Sequence, residues 1–230
     1  MKFPAPISVP LKTALRWKAD ADWLYDVKQD GVRAELLDGA LRGRALDYTA
    51  PSIPSRLDGC RMDGEWLPGA RQFIAFDLTM VHGQNIARAP LWARRRALAD
   101  LVSESACPWI RLIDSTRGSG GEFLETVLAR GGEGIVAKRL DAEYGVHWFK
   151  AKRIETWDLV VVEIAGGRQS VRLAGSGGED FGRCPVFGGK IESLRVGDVV
   201  EVAAYGRHAS GKLREPRFVR LRRDKTIGAF

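Results

Sequence analysis

Lys28 is of a residue type that can act as a nucleophile. It closes the apolar run WLYDVK and is followed by Asp30, a turn glycine and Arg33 in KQDGVR. A lysine amine attacks only in its neutral form, and a free amine titrates near ~10.4, so nearby cations or a metal are needed to make it reactive. Alone the spacing says little, because Asp-Gly is also a hairpin-turn signal. Five further clusters add weight. MDGEW (Met62–Trp66) repeats Asp-Gly before an acid, Glu65, and FIAFDL (Phe73–Leu78) carries the aromatic Phe76. GGEGIVAK (Gly131–Lys138) sets Glu133 on a Gly-rich turn entering a strand. WFKAK (Trp148–Lys152) spaces Lys150 and Lys152 by two, hence on one strand face. RFVRLRRDK, ending at Lys225, puts Arg220, Arg222 and Asp224 on one face of a strand.

The elements that must hold these side chains are short. Trp23–Lys28, Phe73–Leu78 and GIVAKR read as strands. PLWARRRALADLVSES reads as a helix opened by Pro90, with Leu91, Leu98, Leu101 and Val102 near helical spacing. Gly121–Arg130 reads as a second helix, ended by Gly131-Gly132. After Glu155 the character changes to strand-like runs between Gly-rich turns: WDLVVVEIAG, VGDVVEVAAYG and RFVRLRRD. GSGGEDFGRCPVFGGK reads as a long loop or a strand pair with wide turns. The expectation is an α+β chain of two domains. Residues 1–155 form mixed or antiparallel sheets with helices, and residues 156–230 a small all-β barrel of OB type.

Several readings fail on inspection. GRHASGKL (Gly206–Leu213) nearly fits a phosphate-binding loop, but Leu213 replaces the hydroxyl residue and Pro216 forbids a long helix, so it reads as a turn between strands. His82, His147 and His208 lack metal-ligand spacing. Cys60, Cys107 and Cys184 lie far apart, which argues against a zinc knuckle or disulfide framework and fits a reducing compartment. There is no run of ~20 apolar residues and no secretory signal at the N-terminus, so membrane insertion is not expected and a cytoplasmic location is. The 230 residues carry a formal charge of +7. Between Ala203 and Lys225 eight cations face only Glu215 and Asp224, a cluster suited to a polyanion.

In this order the six clusters resemble the covalent nucleotidyltransferase superfamily of ATP-dependent DNA ligases, RNA ligases and capping enzymes, and among these a minimal ATP-dependent DNA ligase. The resemblance spans residues 23–225. It implies an adenylyltransferase (nucleotidyltransferase) domain followed by an OB-fold domain, ATP as cofactor with Mg2+ (or Mn2+), nicked double-stranded DNA as partner, and a monomer. By position, Lys28 would attack the α-phosphorus of ATP and carry AMP, with Asp30 assisting the final sealing step. Lys150 and Lys152 would neutralise phosphate charge, and Glu133 would hold the metal. Arg33 and Glu65 would hold the ribose hydroxyls, Phe76 would stack on adenine, and Asp26, beside Val27 in the nucleotide-binding strand end, would accept from the adenine amino group. Arg222, Asp224 and Lys225 would orient pyrophosphate. Arg44, in LRGRALDYT, stands where the superfamily has a Ser-Arg pair on the nick 5′-phosphate, with Gly43 replacing the serine. An ATP-dependent RNA ligase is the alternative, ahead of a GTP-using capping guanylyltransferase and a non-catalytic nucleic-acid-binding OB protein.

Overall fold

The computed structural model describes residues 3–17, 19–165, 167 and 169–226. The chain divides into two compact units, Met1–Lys152 and Arg153–Phe230, so the boundary falls three residues before the one expected at 155.

In the first unit the elements run β1 (Ile7–Ser8), α1 (Leu11–Ala14), β2 (Ala19–Val27), β3 (Val32–Leu37), β4 (Ala40–Gly43), β5 (Asp47–Tyr48), β6 (Arg61–Leu67), β7 (Gln72–Val81), β8 (Gln84–Asn85), α2 (Leu91–Ser105), β9 (Ile110–Leu112), β10 (Ser115–Ser119), α3 (Gly120–Ala129), β11 (Gly134–Arg139) and β12 (Trp148–Lys152). They build two sheets. One has the order β1-β12-β11-β2-β10, and the other β5-β4-β3-β6-β7-β8 with β9 parallel to β7.

Alternation sorts the first sheet into two faces. Tyr25, Ile135, Ala137 and Ala151 are buried against Leu124 and Val127 of α3 and Ala14 of α1. Because side chains alternate, Asp26, Val136, Lys138, Lys150 and Lys152 take the opposite face. Register then aligns them: Val136 pairs with both Asp26 and Lys150, and Gly134 pairs with Lys152. Lys28 extends the row, since its N–H donates to the Gly134 carbonyl at 2.8 Å. Gly134 has no room for a side chain: a Cβ would stand 2.0 Å from the Ala151 carbonyl, at φ +151°. Gly134→Ala therefore pushes β12 away from β11 and lowers the melting temperature, by an expected ~2 kcal/mol or more of stability at a backbone that L residues resist; calorimetry checks this.

The second sheet packs α2 across its core. Leu98 is buried with Ala34, Leu36, Met62, Phe73, Ala75 and Leu78. α2 opens after Pro90 and stops at Ala106, which adopts the left-handed conformation. The buried stripe of α2 is Leu91, Arg94 and Leu98, so an arginine sits on the face that spacing alone assigns to leucines.

The second unit carries β13 (Glu155–Ala165), β14 (Ser170–Ala174), β15 (Asp180–Pro185), β16 (Val199–Ala204) and β17 (Arg217–Leu221). They form one antiparallel sheet, β15-β14-β13-β16-β17, over a core that includes Leu159, Val161, Val171, Leu173, Val200 and Val202. GRHASGKL is a turn between β16 and β17: Arg207 bridges Leu213, and Gly211 N–H donates to the His208 carbonyl. One expectation is corrected here. The strand ends at Leu221, so Arg222 and Asp224 do not share a strand face. The chain turns at that point, with Lys225 N–H donating to the Arg222 carbonyl.

Candidate active site

The first unit brings together the lysines and the acid that the sequence singled out. Glu133 bridges two amines, with Oε2 2.8 Å from Lys28 Nζ and Oε1 2.8 Å from Lys152 Nζ. Lys150 shares the face of Lys152 two residues away, in register with Val136 and Asp26. Two amines thus converge on one carboxylate at the end of a sheet face that also carries Lys150, an arrangement suited to a dense anion such as a polyphosphate. The Glu133 side chain is 9% exposed. Its Oε1 receives no aligned hydrogen bond, so the Lys152 contact there is one of charge. Gly31 explains the turn that follows Lys28: a Cβ would lie 2.6 Å from the Trp66 carbonyl of β6. Asp30 is exposed in that turn. Val27 is half-buried and pairs with Ile135.

The second sheet supplies the facing wall. Arg33 on β3 lies opposite Glu65 on β6. Its Nε and Nη2 donate to Asp63 at 3.0 and 2.6 Å, and Nη1 donates to the Pro4 carbonyl at 2.6 Å. Phe3, Phe76 and Trp148 stand over the guanidinium at 5.1, 5.2 and 5.3 Å. Burial raises the Asp63 carboxyl, opposed by Arg33 and by the Tyr144 hydroxyl. Burial also lifts Glu65 to about 7, against the pull of the Lys28 and Arg33 charges.

That last shift has a testable sign. A carboxylate whose folded pKa lies above its unfolded one contributes stability that is present at low pH and is lost as pH rises through about 7. Glu65→Gln removes the titration. Relative to the parent, the variant should gain on the order of 3 kcal/mol between pH 4.5 and 8, read by urea unfolding at several pH values. A pH-independent difference would assign no such shift to Glu65.

Between the walls lies a buried charge cluster. Asp26 is 2% exposed. Its Oδ2 is 2.7 Å from Lys138 Nζ and its Oδ1 3.5 Å from an Arg95 nitrogen, yet neither oxygen receives an aligned hydrogen bond. Lys138 Nζ also sits 4.3 Å from the Phe76 ring and 4.4 Å from that of Trp148, and burial lowers its pKa. Phe76, half-buried, meets Trp148 edge-on at 6.2 Å.

Asp63, Lys138, Tyr144 and Arg95 were given no role by sequence reasoning. Asp63 and Lys138 stand inside quoted motifs, MDGEW and GIVAK, and a charged residue alternating onto the same face as a candidate ligand was the available signal. Tyr144 and Arg95 are recognised only by three-dimensional contact. Arg44 is exposed just beyond β4. Arg222, Asp224 and Lys225 belong to the second unit and are engaged there. Arg222 donates to Asp158 at 2.8 and 3.0 Å and to Asp224 at 2.9 and 2.7 Å, and Lys225 Nζ donates to Asp158 at 2.7 Å. The hydrogen bond from Arg222 holds the Asp224 carboxyl far below the usual range. Arg220 pairs with Glu201 at 2.7 Å. Much of the basic cluster is therefore internally paired.

Among the described residues no group of three His, Cys, Asp or Glu side chains gathers for a metal, and no helix is long and apolar enough to cross a membrane. All three cysteines are buried and unbridged.

Comparison with known proteins bears on what this site does. Residues 68–157 match the family described as the ATP dependent DNA ligase domain. A probable DNA ligase of Streptomyces coelicolor is 36% identical over 147 residues, covering 60% of this chain and 28% of that protein. DNA ligase 1 of Korarchaeum cryptofilum is 34% identical over 97 residues, 40% of this chain and 18% of that protein. The chain thus spans well under half the length of the curated relatives it matches. Among solved structures, one from a structure–function study of Lig E DNA ligases covers 96% of this chain and 99% of its own, with TM-score 0.77 at 21% identity. The ligase domain of Mycobacterium tuberculosis LigD covers 98% and 97%, with TM-score 0.53 at 18% identity. Over nearly the whole chain the fold is therefore that of the Lig E structure, and the sequence relatives are named as DNA ligases or probable DNA ligases. The matched segment 68–157 contains Phe76, Glu133, Lys150 and Lys152; Lys28, Arg33 and Glu65 lie outside it.

Proposed function

We propose that the chain is an ATP-dependent DNA ligase that carries AMP on Lys28, passes it to the 5′-phosphate at a nick in duplex DNA, and seals the strand when the 3′-OH expels AMP. The observation that carries this reading is Glu133 holding Lys28 and Lys152 at 2.8 Å each, with Lys150 on the same sheet face and Arg33 and Glu65 on the wall opposite. We read these groups as an attacking amine, charge-neutralising amines and a ribose-binding pair.

In the resting site the Lys28 amine is held by the Glu133 carboxylate at 2.8 Å, and it must leave that contact to reach a phosphate. Glu133 Oε1, buried and without an aligned hydrogen bond, suits a hard divalent cation, and a lone protein carboxylate fits Mg2+, which keeps most of its waters. Such an ion, when bound, neutralises charge on the phosphates. Lys150 and Lys152 then face the α-phosphate, where charge builds as Lys28 attacks. Arg33 and Glu65 hold the ribose hydroxyls, Phe76 offers its ring to the base, and Asp26 supplies an acceptor for the adenine amino group. Arg222, Asp224 and Lys225 meet pyrophosphate, Asp30 assists sealing, and Arg44 contacts the nick phosphate. The first unit is then the adenylyltransferase domain and the second an OB-type domain of a monomer working inside the cell.

The test is labelling with α-labelled ATP or, separately, GTP in Mg2+, followed by a denaturing gel and a chase with nicked duplex DNA. The expected result is label from ATP only, discharged as sealed DNA appears. Label that nicked DNA cannot discharge but nicked RNA can would make this an RNA ligase, and label from GTP a capping enzyme.

A further inference from the structure

The loop joining β11 to β12 carries a hydroxyl that reaches the opposite sheet. Tyr144 Oη donates to Asp63 Oδ2 at 2.6 Å. The same carboxylate receives both remaining arms of its grip from Arg33, Nη2 on Oδ2 at 2.6 Å and Nε on Oδ1 at 3.0 Å. Asp63 sits on β6, while β11 and β12 bear Lys150, Lys152 and the approach to Glu133. The hydroxyl is thus a strut between the wall that carries the amines and the wall that carries Arg33.

The strut is stiff. The Tyr144 N–H donates to the Ala87 carbonyl at 2.9 Å, and its ring meets Trp148 edge-on at 5.4 Å. Asp63 is 3% exposed, so water does not readily replace a lost donor there. Arg33 has five N–H donors. Three are committed, to Asp63 and Pro4, and the guanidinium also interacts with the Tyr144 hydroxyl.

We infer that Tyr144 is a positioning residue for the ribose end of the nucleotide: through Asp63 it sets where the Arg33 guanidinium stands relative to Lys28 and its phosphate-binding neighbours. The inference rests on the nucleotide-transfer reading above. Tyr144 touches no reacting atom and acts only by fixing the distance between ribose and phosphate subsites, the kind of alignment to which transfer rates and affinities are sensitive.

Tyr144→Phe deletes the hydroxyl alone. Initial rates of self-adenylation are measured against ATP and against 2′-deoxy-ATP. The KM for ATP should rise about five- to tenfold, the loss of one charge-assisted hydrogen bond's worth of alignment, with the maximal rate within about twofold. The KM for 2′-deoxy-ATP should move little, so that the preference for ATP collapses. Asp63→Asn, which keeps the shape and removes the charge, should collapse the same ratio. Parallel increases for both nucleotides, or a lower melting temperature with an unchanged ratio, overturn the proposal and leave Tyr144 as a structural residue. A parent protein that forms no adenylate with either nucleotide fails the underlying reading, and the proposal falls with it.

Discussion

Lys28→Ala yields a folded protein that carries no covalent nucleotide. Both halves of this expectation follow from where the side chain lies. The side chain is 21% exposed, and its amine donates to Glu133 Oε2 at 2.8 Å and to the Gln29 carbonyl at 3.4 Å. Removing it leaves Glu133 still charge-paired with Lys152, so no buried charge is stranded and the cost in stability stays near that of a partly exposed ion pair, about 1 kcal/mol or less. The backbone N–H that continues the strand ladder to Gly134 is retained. Adenylation, by contrast, has no substitute nucleophile at that point of the row. Label from α-labelled ATP should fall to background while the melting temperature moves by only a few degrees. Sealing of a nick that already carries a 5′-adenylate should survive, because that step does not need the Lys28 amine. Label retained on the variant would move the nucleophile to Lys150 or Lys152, and loss of sealing on the pre-adenylated nick would give Lys28 a second role. Lys152→Ala is the informative partner: Glu133 stays paired with Lys28, so folding should change little while adenylation weakens through the loss of a charge beside the phosphates.

Where periodicity had one dominant cause, the sequence was legible. GIVAKR is β11, residue for residue, because alternating Ile135 and Ala137 have a helix to pack against and the glycines before it can do little else than turn. The same alternation placed Lys150 and Lys152 together. What escaped the sequence are charged groups whose burial depends on a partner distant in the chain. Lys138 reads as a surface lysine until Asp26 is found 2.7 Å away. Tyr144 sits in a loop with no pattern, and its meaning comes wholly from Asp63 on another sheet. The strand expected to run through Asp224 stopped at Leu221 because Arg222 finds Asp158 and Asp224 together, and a turn serves both contacts where an extended strand does not. The basic count near the C-terminus was right, but counting charges cannot show that Arg220, Arg222 and Lys225 already have carboxylates.

Arg94→Met should cost about 3–5 kcal/mol, the loss expected when one partner of a buried ion pair is removed. Both side chains are 0% exposed. Arg94 donates to Asp77 through Nε at 2.8 Å and Nη2 at 3.0 Å, and to the carbonyls of Ala89 and Ala142 through Nη1. Methionine fills the volume but takes the guanidinium from the Asp77 carboxylate, which keeps the Leu78 N–H at 2.8 Å and the more distant Lys138 charge. Against a domain stability of about 5–15 kcal/mol, such a loss leaves a protein that unfolds early in urea. Asp77→Asn should cost less, because the amide keeps one acceptor for the guanidinium. Arg94→Met combined with Asp77→Leu should recover much of the loss, since two apolar groups have no charge to desolvate. A single-variant cost under about 1 kcal/mol, or a double variant no better than Arg94→Met, would show that the pair is not what holds these elements. The consequence reaches the site. Asp77 follows Phe76 on β7, and Ala142 lies in the loop that presents Tyr144. Arg94 therefore ties α2 to both the aromatic platform and the inter-sheet strut, and a destabilised Arg94→Met protein should lose nucleotide preference at temperatures well below its melting point. That ordering is read by repeating the ATP and 2′-deoxy-ATP comparison as temperature rises.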